Sequence, residues 1–424
     1  MGTILQAGLR KVNPSMRSVT ADPPAAQRRS SLLAVLEIAW ASGPFTATDA
    51  MTAGLTRSTT IDVLDELRDR GLLRELPNSR AAGEYSKGRP SRRFELHARA
   101  GVVVGMDAGA GHLTTVVADL RGATLVTRHR TADNEESAES RRATVAAALD
   151  DALAAAGRSR SEVVALCVGV PAPVDARGES PPHRTGFWRR MNPGLLGMLA
   201  ESIPIVRVEN DALLAAVAER TIGAAIGVDD VVTLLGGDRL GAGIVVDGHL
   251  LRGAHGGVGE MVAFDHVPGV ESADGLSGRL ADRARTLVEE GLATAGGALA
   301  AVPAARIDAP LVVRLAREGD ADALAVVRGV AAVLAEITAV FGSLFDPARV
   351  VVTGGVAAGA DLLIAQARGM MPAQLDLPAP ELVASELGAE AVVAGAVFHA
   401  VHHARAGALD LPAFALPAAE RSLV

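Results

Sequence analysis

The stretch GAHGGVGEMVAFDH, residues 253 to 266, holds two histidines, two acids and four glycines in fourteen positions. Imidazoles and carboxylates at that density suit a metal ion or the hydroxyls of a sugar, and glycines let a backbone approach a phosphate. The same residues also suit a sharp turn whose polar groups only satisfy backbone. His255 and Glu260 are the side chains it offers. The metal reading is weakened by supply. The chain has one cysteine, Cys167, inside the apolar run VVALCVGV, which excludes an internal disulfide and any thiolate-rich zinc site. Cys167 reads as a buried strand residue.

A chain of 424 residues, 49% hydrophobic with mean hydropathy +0.27, has material for two or three domains with large cores. No uninterrupted apolar run reaches the roughly 18 residues of a membrane span, and MGTILQAGLRKVNPSMRS lacks the apolar stretch of a secretory signal. A soluble, cytoplasmic protein is expected. Net charge is −8, but unevenly spread: residues 1–100 hold 15 Lys/Arg against 10 Asp/Glu, and the remainder 26 against 39. A basic end on an acidic body fits a small DNA-reading module joined to a separate sensor or enzyme.

The basic end reads as a winged helix-turn-helix over residues 28–98, after a flexible segment 1–27. SSLLAVLEIAWAS places Leu32, Leu33, Leu36 and Trp40 on one helical face, and Gly43-Pro44 ends it. TATDAMTAG is a shorter helix capped by Thr46 and closed by Gly54. LTRSTTIDVLDELRDRGLL is a third, capped by Thr56 or Ser58, with Ile61, Leu64 and Leu67 inward and Gly71 closing it. LLREL and RRFELHA follow as strands around a polar wing. DNA contacts are expected from the start of the third helix (Thr56, Arg57, Ser58, Thr59, Thr60) and from the wing (Lys87, Arg89, Arg92, Arg93). A winged helix used for protein contacts is the alternative.

After Ala100 the pattern becomes strand, glycine turn, strand. GVVVGMDAGAGHLTTVVADLRG (101–122) is echoed by DVVTLLGGDRLGAGIVVDGHLLRG (230–253), which predicts two related α/β lobes, 99–220 and 221–410, before a tail 411–424. Taken in order, DAGAGHLTTVVADLRG, VGVPAPVD, IPIVRVENDALLAAVAE, LGAGIVVDGHLLRGAHGGVGE and VVVTGGV make the chain similar to the ROK family (repressors, open reading frames and sugar kinases), in its transcriptional branch. The resemblance implies two actin-like, ribonuclease-H-like lobes with a sugar in the cleft between them. It implies that Asn210 and Asp211 meet that sugar, Asp211 as general base if the chain is a kinase, and that Glu260 accepts sugar hydroxyls. Amides and carboxylates offer paired donors and acceptors to vicinal hydroxyls, and an acid beside a hydroxyl assists its attack on phosphate.

The chain also departs from the kinase pattern. Asp107 and Gly109 are present in the first phosphate turn, but Gly111 and His112 follow where a threonine is usual. In the second, Gly237, Asp238 and Arg239 stand where Gly-Thr-Gly is usual; an acid there repels a polyphosphate unless Arg239 pairs with it. Gly354 and Gly355 remain on the adenosine side. The family's zinc element lacks its second histidine (Val262-Ala263 instead) and every cysteine, and His266 cannot make a four-coordinate site alone. His112, His249, His402 and His403 are expected at the surface or in packing, and Trp188 in packing more than in ligand stacking.

The sequence therefore predicts a DNA-binding regulator, a repressor of carbohydrate-related genes, whose degenerate sugar-kinase body senses a small carbohydrate at Asn210, Asp211, Glu260 and His255. It predicts no zinc, no ATP, no membrane partner, a homodimer or dimer of dimers, and an inverted-repeat operator in double-stranded DNA. An ATP-dependent sugar kinase that also binds DNA is the alternative.

Overall fold

The computed structural model describes residues 23–77, 92–371 and 377–411. The chain divides into a unit ending at His97 and a larger one, Ala98–Leu411. Lys87, Arg89 and nearly all of the expected wing lie outside the described residues, as does most of the expected tail.

The first unit contains α1 (Pro23–Ala41), β1 (Phe45–Thr46), α2 (Ala47–Ala50), α3 (Arg57–Asp69), β2 (Leu73–Leu76) and β3 (Arg93–Leu96). Its strands form an antiparallel sheet in the order β1-β3-β2. Thr46 and Asp49 close a reciprocal capping box on α2, and Gly54 and Gly71 reverse the chain at φ +78° and +75°. Two expectations change. Residues 23–27 are helical, because prolines are tolerated in a first turn and Ala25, Ala26 and Gln27 favour helix. And Ile61 does not face inward. The buried side of α3 is Thr60, Val63, Leu64 and Leu67, an i, i+3, i+4, i+7 stripe that leaves Ile61, one residue and about 100° further round, 39% exposed.

The larger unit repeats one plan. β4 (Val102–Ala108), β5 (His112–Asp119) and β6 (Thr124–Thr131) form an antiparallel meander. After α4 (Ala138–Ala155), β7 (Val163–Val170) joins β4 in parallel; after α5 (Phe187–Met191) and α6 (Leu195–Ala200), β8 (Ile205–Asn210) joins β7. Then α7 (Asp211–Ile222) leads to a second meander, β9 (Val231–Gly236), β10 (Leu240–Val246) and β11 (His249–Leu250). Helices α8 (Leu276–Glu289), α9 (Ala309–Arg317) and α10 (Ala321–Phe345) follow, then β12 (Arg349–Thr353), α11 (Ala357–Arg368), β13 (Glu381–Ala384) and α12 (Ala391–Gly407). The two sheets, β6-β5-β4-β7-β8 and β11-β10-β9-β12-β13, share the same mixture of antiparallel and parallel neighbours. β4, β7 and β12 are nearly continuous apolar runs, as strands covered on both faces must be. α10 is long and apolar enough to cross a membrane by length and composition, but 61% of its apolar window is buried in the second lobe's core.

The expected division at residue 220 needs correcting. α7 packs on β9 and β10 of the second sheet, while α12, from the far end of the second segment, packs on α7 and on β4 and β7 of the first. Sequence order cannot show this return. Glycines permit it: a β-carbon at Gly105 (β4) would lie 2.6 Å from the Val397 nitrogen, one at Gly243 (β10) 2.5 Å from the Ala212 carbonyl oxygen, and one at Gly395 (α12) 1.9 Å from the Leu214 carbonyl oxygen. Backbone meets backbone across all three.

Gly395→Ala is therefore expected to force α7 and α12 apart and to destabilise the protein by about 1–3 kcal/mol or more. Gly197→Ala, in the open interior of α6, is expected to stabilise by about 0.5–1 kcal/mol. Guanidinium unfolding of both variants checks the contrast; equal midpoints would refute the packing argument.

Candidate functional site

α7 begins where β8 ends, and this junction positions the first acid. Asn210 is the N-cap: its Oδ1 accepts from the Leu213 amide at 3.1 Å and its Nδ2 donates to the Ala172 carbonyl at 3.2 Å. Both ends of that amide are engaged in ordering the junction. The next residue, Asp211, accepts from the Ala212 amide at 2.7 Å, yet its carboxyl is pushed up to about 8. Loss of water around it is the largest cause. The Asp107 charge adds to this and Glu260 adds less, outweighing the helix N-terminus, which favours an anion. The Asp211 carboxyl thus holds its proton well beyond the usual carboxylate range.

Asp107, buried at the end of β4, holds an unexpected partner. The His112 Nε2 lies 3.0 Å from its Oδ2, and the imidazole folds back over the turn: a β-carbon at Gly109 would sit 2.4 Å from the His112 Cε1. Hydrogen bonding to Asp107 raises the His112 pKa against the opposing effect of burial, with the charges of Asp107 and Asp211 also raising it. Behind the turn, the fully buried Arg141 of α4 donates to the Ala108 and Gly109 carbonyls at 2.6 and 2.7 Å and pairs with Glu136 at 3.2 Å. Burial lowers its pKa, and Glu136 opposes that. A buried arginine thus pins the turn, and an imidazole covers it. Neither role was legible in sequence; an acid five residues before a histidine across a glycine turn was the one hint.

Glu260 enters from the second lobe. Gly259 approaches β10 so closely that a β-carbon would lie 1.8 Å from the Ala242 carbonyl oxygen, and Ala242 donates to Gly259 at 3.0 Å. Gly256, at φ +69°, rests on Val174 of the VGVPAPVD segment in the same manner, at 1.9 Å. These contacts hold the Glu260 carboxyl half-buried, and desolvation pushes it up to about 7, partly offset by Arg239. The structure thus places Asp107 and Glu260 each within electrostatic reach of Asp211, with His112 bonded to Asp107 and Arg239 acting on Glu260. His255 is exposed and makes no hydrogen bond to a described residue.

In the second glycine turn Arg239 pairs with Asp274 at 3.8 Å and not with Asp238. The Gly237 carbonyl is packed against Gly275, and Asp238 accepts from the Gly275 amide at 2.8 Å through its backbone. Gly354, at φ +85°, turns the chain after β12 against Leu235, and Gly355 lies near Ser277.

Two expectations about histidines and rings also meet the structure. Trp188 stacks on His183, centroids 4.5 Å apart, and packs against the first lobe's core. His402 and His403 join His399 in a ring cluster on α12, where Glu209 is bonded to Arg252 and lies 3.7 Å from His399. Burial and the nearby Arg252 and Arg207 hold His399 neutral, at about 4. Among the described residues no group of three or more His, Cys, Asp and Glu is arranged to hold a metal ion.

In the first unit, α3 divides its side chains sharply. The Thr56 hydroxyl caps the helix by accepting from the Thr59 amide at 3.3 Å, and it also bonds the Ser58 and Thr59 hydroxyls. Thr60 is fully buried, its hydroxyl donating to the Thr56 carbonyl at 2.9 Å, so it cannot reach a ligand. Arg92 also departs from expectation: it pairs with Glu75 at 2.7 Å and Asp65 at 2.8 Å and lies over the Phe94 ring, joining α3 to the sheet. Arg93 is a half-buried strand residue. Arg57, Ser58, Ile61 and Asp62 are left exposed.

A repeated meander-and-parallel sheet on either side of two shared helices is the architecture of a two-lobed, actin-like body. The ROK family model matches residues 103–402, and the chain belongs to the ROK family. It is 23% identical over 209 residues to the xylose repressor of Bacillus spizizenii, covering 49% of this chain and 53% of that one. The chain thus spans about half the length of the curated relatives it matches first. A crystal structure described as a ROK family transcriptional regulator, homolog of the E. coli MLC protein, superposes with TM-score 0.68 at 22% identity, over 89% of this chain and 97% of the other. A ROK family glucokinase from Streptomyces griseus, in complex with glucose and AMPPNP, gives TM-score 0.59 at 26% identity, over 71% of this chain and all of its own.

Acids held above their usual range carry a definite pH signature. Each keeps its proton longer when folded, so stability falls as pH rises from about 4 through about 7 for Glu260 and about 8 for Asp211, then levels. Asp211→Asn and Glu260→Gln are expected to flatten that decline, leaving the variants more stable than wild type at pH 8.5 and near it at pH 4. Unfolding midpoints at the two pH values decide; an unchanged difference would refute the assignment.

Proposed function

We propose that this chain is a ligand-responsive DNA-binding regulator whose kinase-like body has become a sensor. The observation carrying the proposal is the His112 imidazole bonded to Asp107 and folded over Gly109. In the kinase pattern that turn receives a nucleotide phosphate; here an aromatic ring covers it. Asp238 and Arg239 burden the second turn as well. The acids that would meet a sugar remain, and with Asp211 and Glu260 raised to about 8 and about 7 they present both donors and acceptors to hydroxyls. A small neutral carbohydrate bound at Asp211 and Glu260, with Asn210 ordering their junction, fits this set. The exposed start of α3 is the corresponding DNA-reading surface in a cytoplasmic homodimer on an inverted-repeat operator, with repression as its action. The likeness to a xylose repressor supports a sugar-linked regulator without naming the sugar.

One observation favours an active kinase: Asp107 and Asp211 are both present and mutually coupled, and glucokinases are among the relatives. Against it stand the His112 ring over the first phosphate turn and the Asp238 and Arg239 side chains in the second.

An anisotropy titration of operator DNA against a sugar panel is expected to find one carbohydrate that changes affinity at least tenfold, with the response lost in Glu260→Gln. A hundredfold change would need about 2.7 kcal/mol of differential binding between the two lobe arrangements. ADP release under the same conditions is expected to stay at background. Turnover abolished by Asp211→Asn would establish the kinase instead.

A further inference from the structure

Most of the described arginines of the first unit are neutralised within it. Arg28 and Arg70 pair with Glu66, Arg68 with Asp65 and Asp69, Arg74 with Glu95, and Arg92 with Glu75 and Asp65. Among the described arginines of this unit, only the side chains of Arg57 and the half-buried Arg93 have no hydrogen-bond or ion-pair partner. Arg57 is exposed at the start of α3, where an acid would be the favoured residue on its own account. One turn further along the same ridge stands Ile61, 39% exposed and the one large hydrophobic side chain of α3 outside its buried stripe. Helix propensity does not favour a β-branched apolar residue at this partly exposed position.

An unpaired guanidinium and an apolar side chain at i and i+4 match two neighbouring features of a major groove. A guanine presents O6 and N7 to an arginine fork, and a thymine presents its 5-methyl to an apolar surface. Four residues of helix rise about 6 Å, and base pairs stack about 3.4 Å apart, so the two features fall one or two steps from each other. We propose that Ile61 reads a thymine methyl beside a guanine read by Arg57, making Ile61 a specificity-determining residue of this chain. The assignment rests on the DNA-binding role proposed above. Thr60 and Arg92, expected among the DNA contacts, are committed by the structure to the interior and to ion pairs.

The test uses the full chain. In vitro selection from random duplexes supplies the preferred sequence, and each thymine in it is then replaced by deoxyuridine, which removes only the 5-methyl. Wild type is expected to lose affinity about three- to tenfold at one thymine per half-site, within two steps of a guanine. Ile61→Ala and Ile61→Gln are expected to bind the thymine duplex more weakly and to be indifferent to deoxyuridine there. Arg57→Lys is expected to relax preference at the adjacent guanine. Wild-type tolerance of every deoxyuridine, or the same deoxyuridine penalty in wild type and Ile61→Ala, would overturn the inference while leaving DNA binding in place. So would an Ile61→Ala chain that keeps its DNA affinity but changes its oligomeric state. Failure to enrich any sequence would bring down the DNA-binding role itself.

Discussion

Two helices share the space between two sheets, and the site's geometry follows from how closely they fit. α7 and α12 are seated by glycines that bring main chain against main chain at Gly105, Gly243 and Gly395. Interiors packed to this density do not deform continuously, so a helix held on both sides keeps its terminus where packing puts it. The N-terminus of α7 is that place. Asn210 closes it by bonding to Leu213 and Ala172, and Asp211 is thereby fixed facing Asp107 from the first sheet and Glu260 from the second. Close backbone packing thus sets the position from which Asp211 feels both other acids.

Such a cluster is electrostatically costly, and the structure meets the cost in distinct ways. Asp211 and Glu260 are pushed up to about 8 and about 7, well above the usual carboxylate range, whereas Asp107 takes the His112 imidazole as partner. Arg141 contributes no charge to the open side; its guanidinium is used up on two carbonyls and Glu136. The outcome is a polar surface on which two acids are shifted toward their protonated forms and a third is paired with an imidazole. Nearby, Glu209 and Arg252 bond across the two lobes just before Asn210 and just before the GAHGG turn, so the segments that carry the site are also tied to each other.

The small N-terminal unit follows the opposite economy. Among its described residues most arginines are paired within the unit, joining α3 to α1 and to the sheet, while the Arg57 guanidinium and Ile61 are left outward on a single ridge. Paired exposed charges contribute little stability each, but several acting on one helix fix its rotation about its axis. That rotation decides which residues a partner can touch.

Much of this was legible in the order of residues. Alternation and glycine turns marked two similar meanders, caps and glycines marked the helices of the first unit, and Asp211 and Glu260 stood out by type. What sequence could not show depends on rotation and on return. Whether Thr60 or Ile61 faces inward is a matter of 100° about an axis, and both choices continue an apolar stripe. That Arg92 is bound to Glu75 and Asp65, that His112 folds onto Asp107, and that α12 comes back to the first sheet are contacts between residues whose meeting requires the chain to be folded. Local propensity and periodicity act over a few residues, so the sequence by itself determined the elements, their kinds and the inventory of polar groups. Only tertiary packing, by fixing distances and excluding water, decided which of those groups share a charge, which hold a proton, and which remain free to bind.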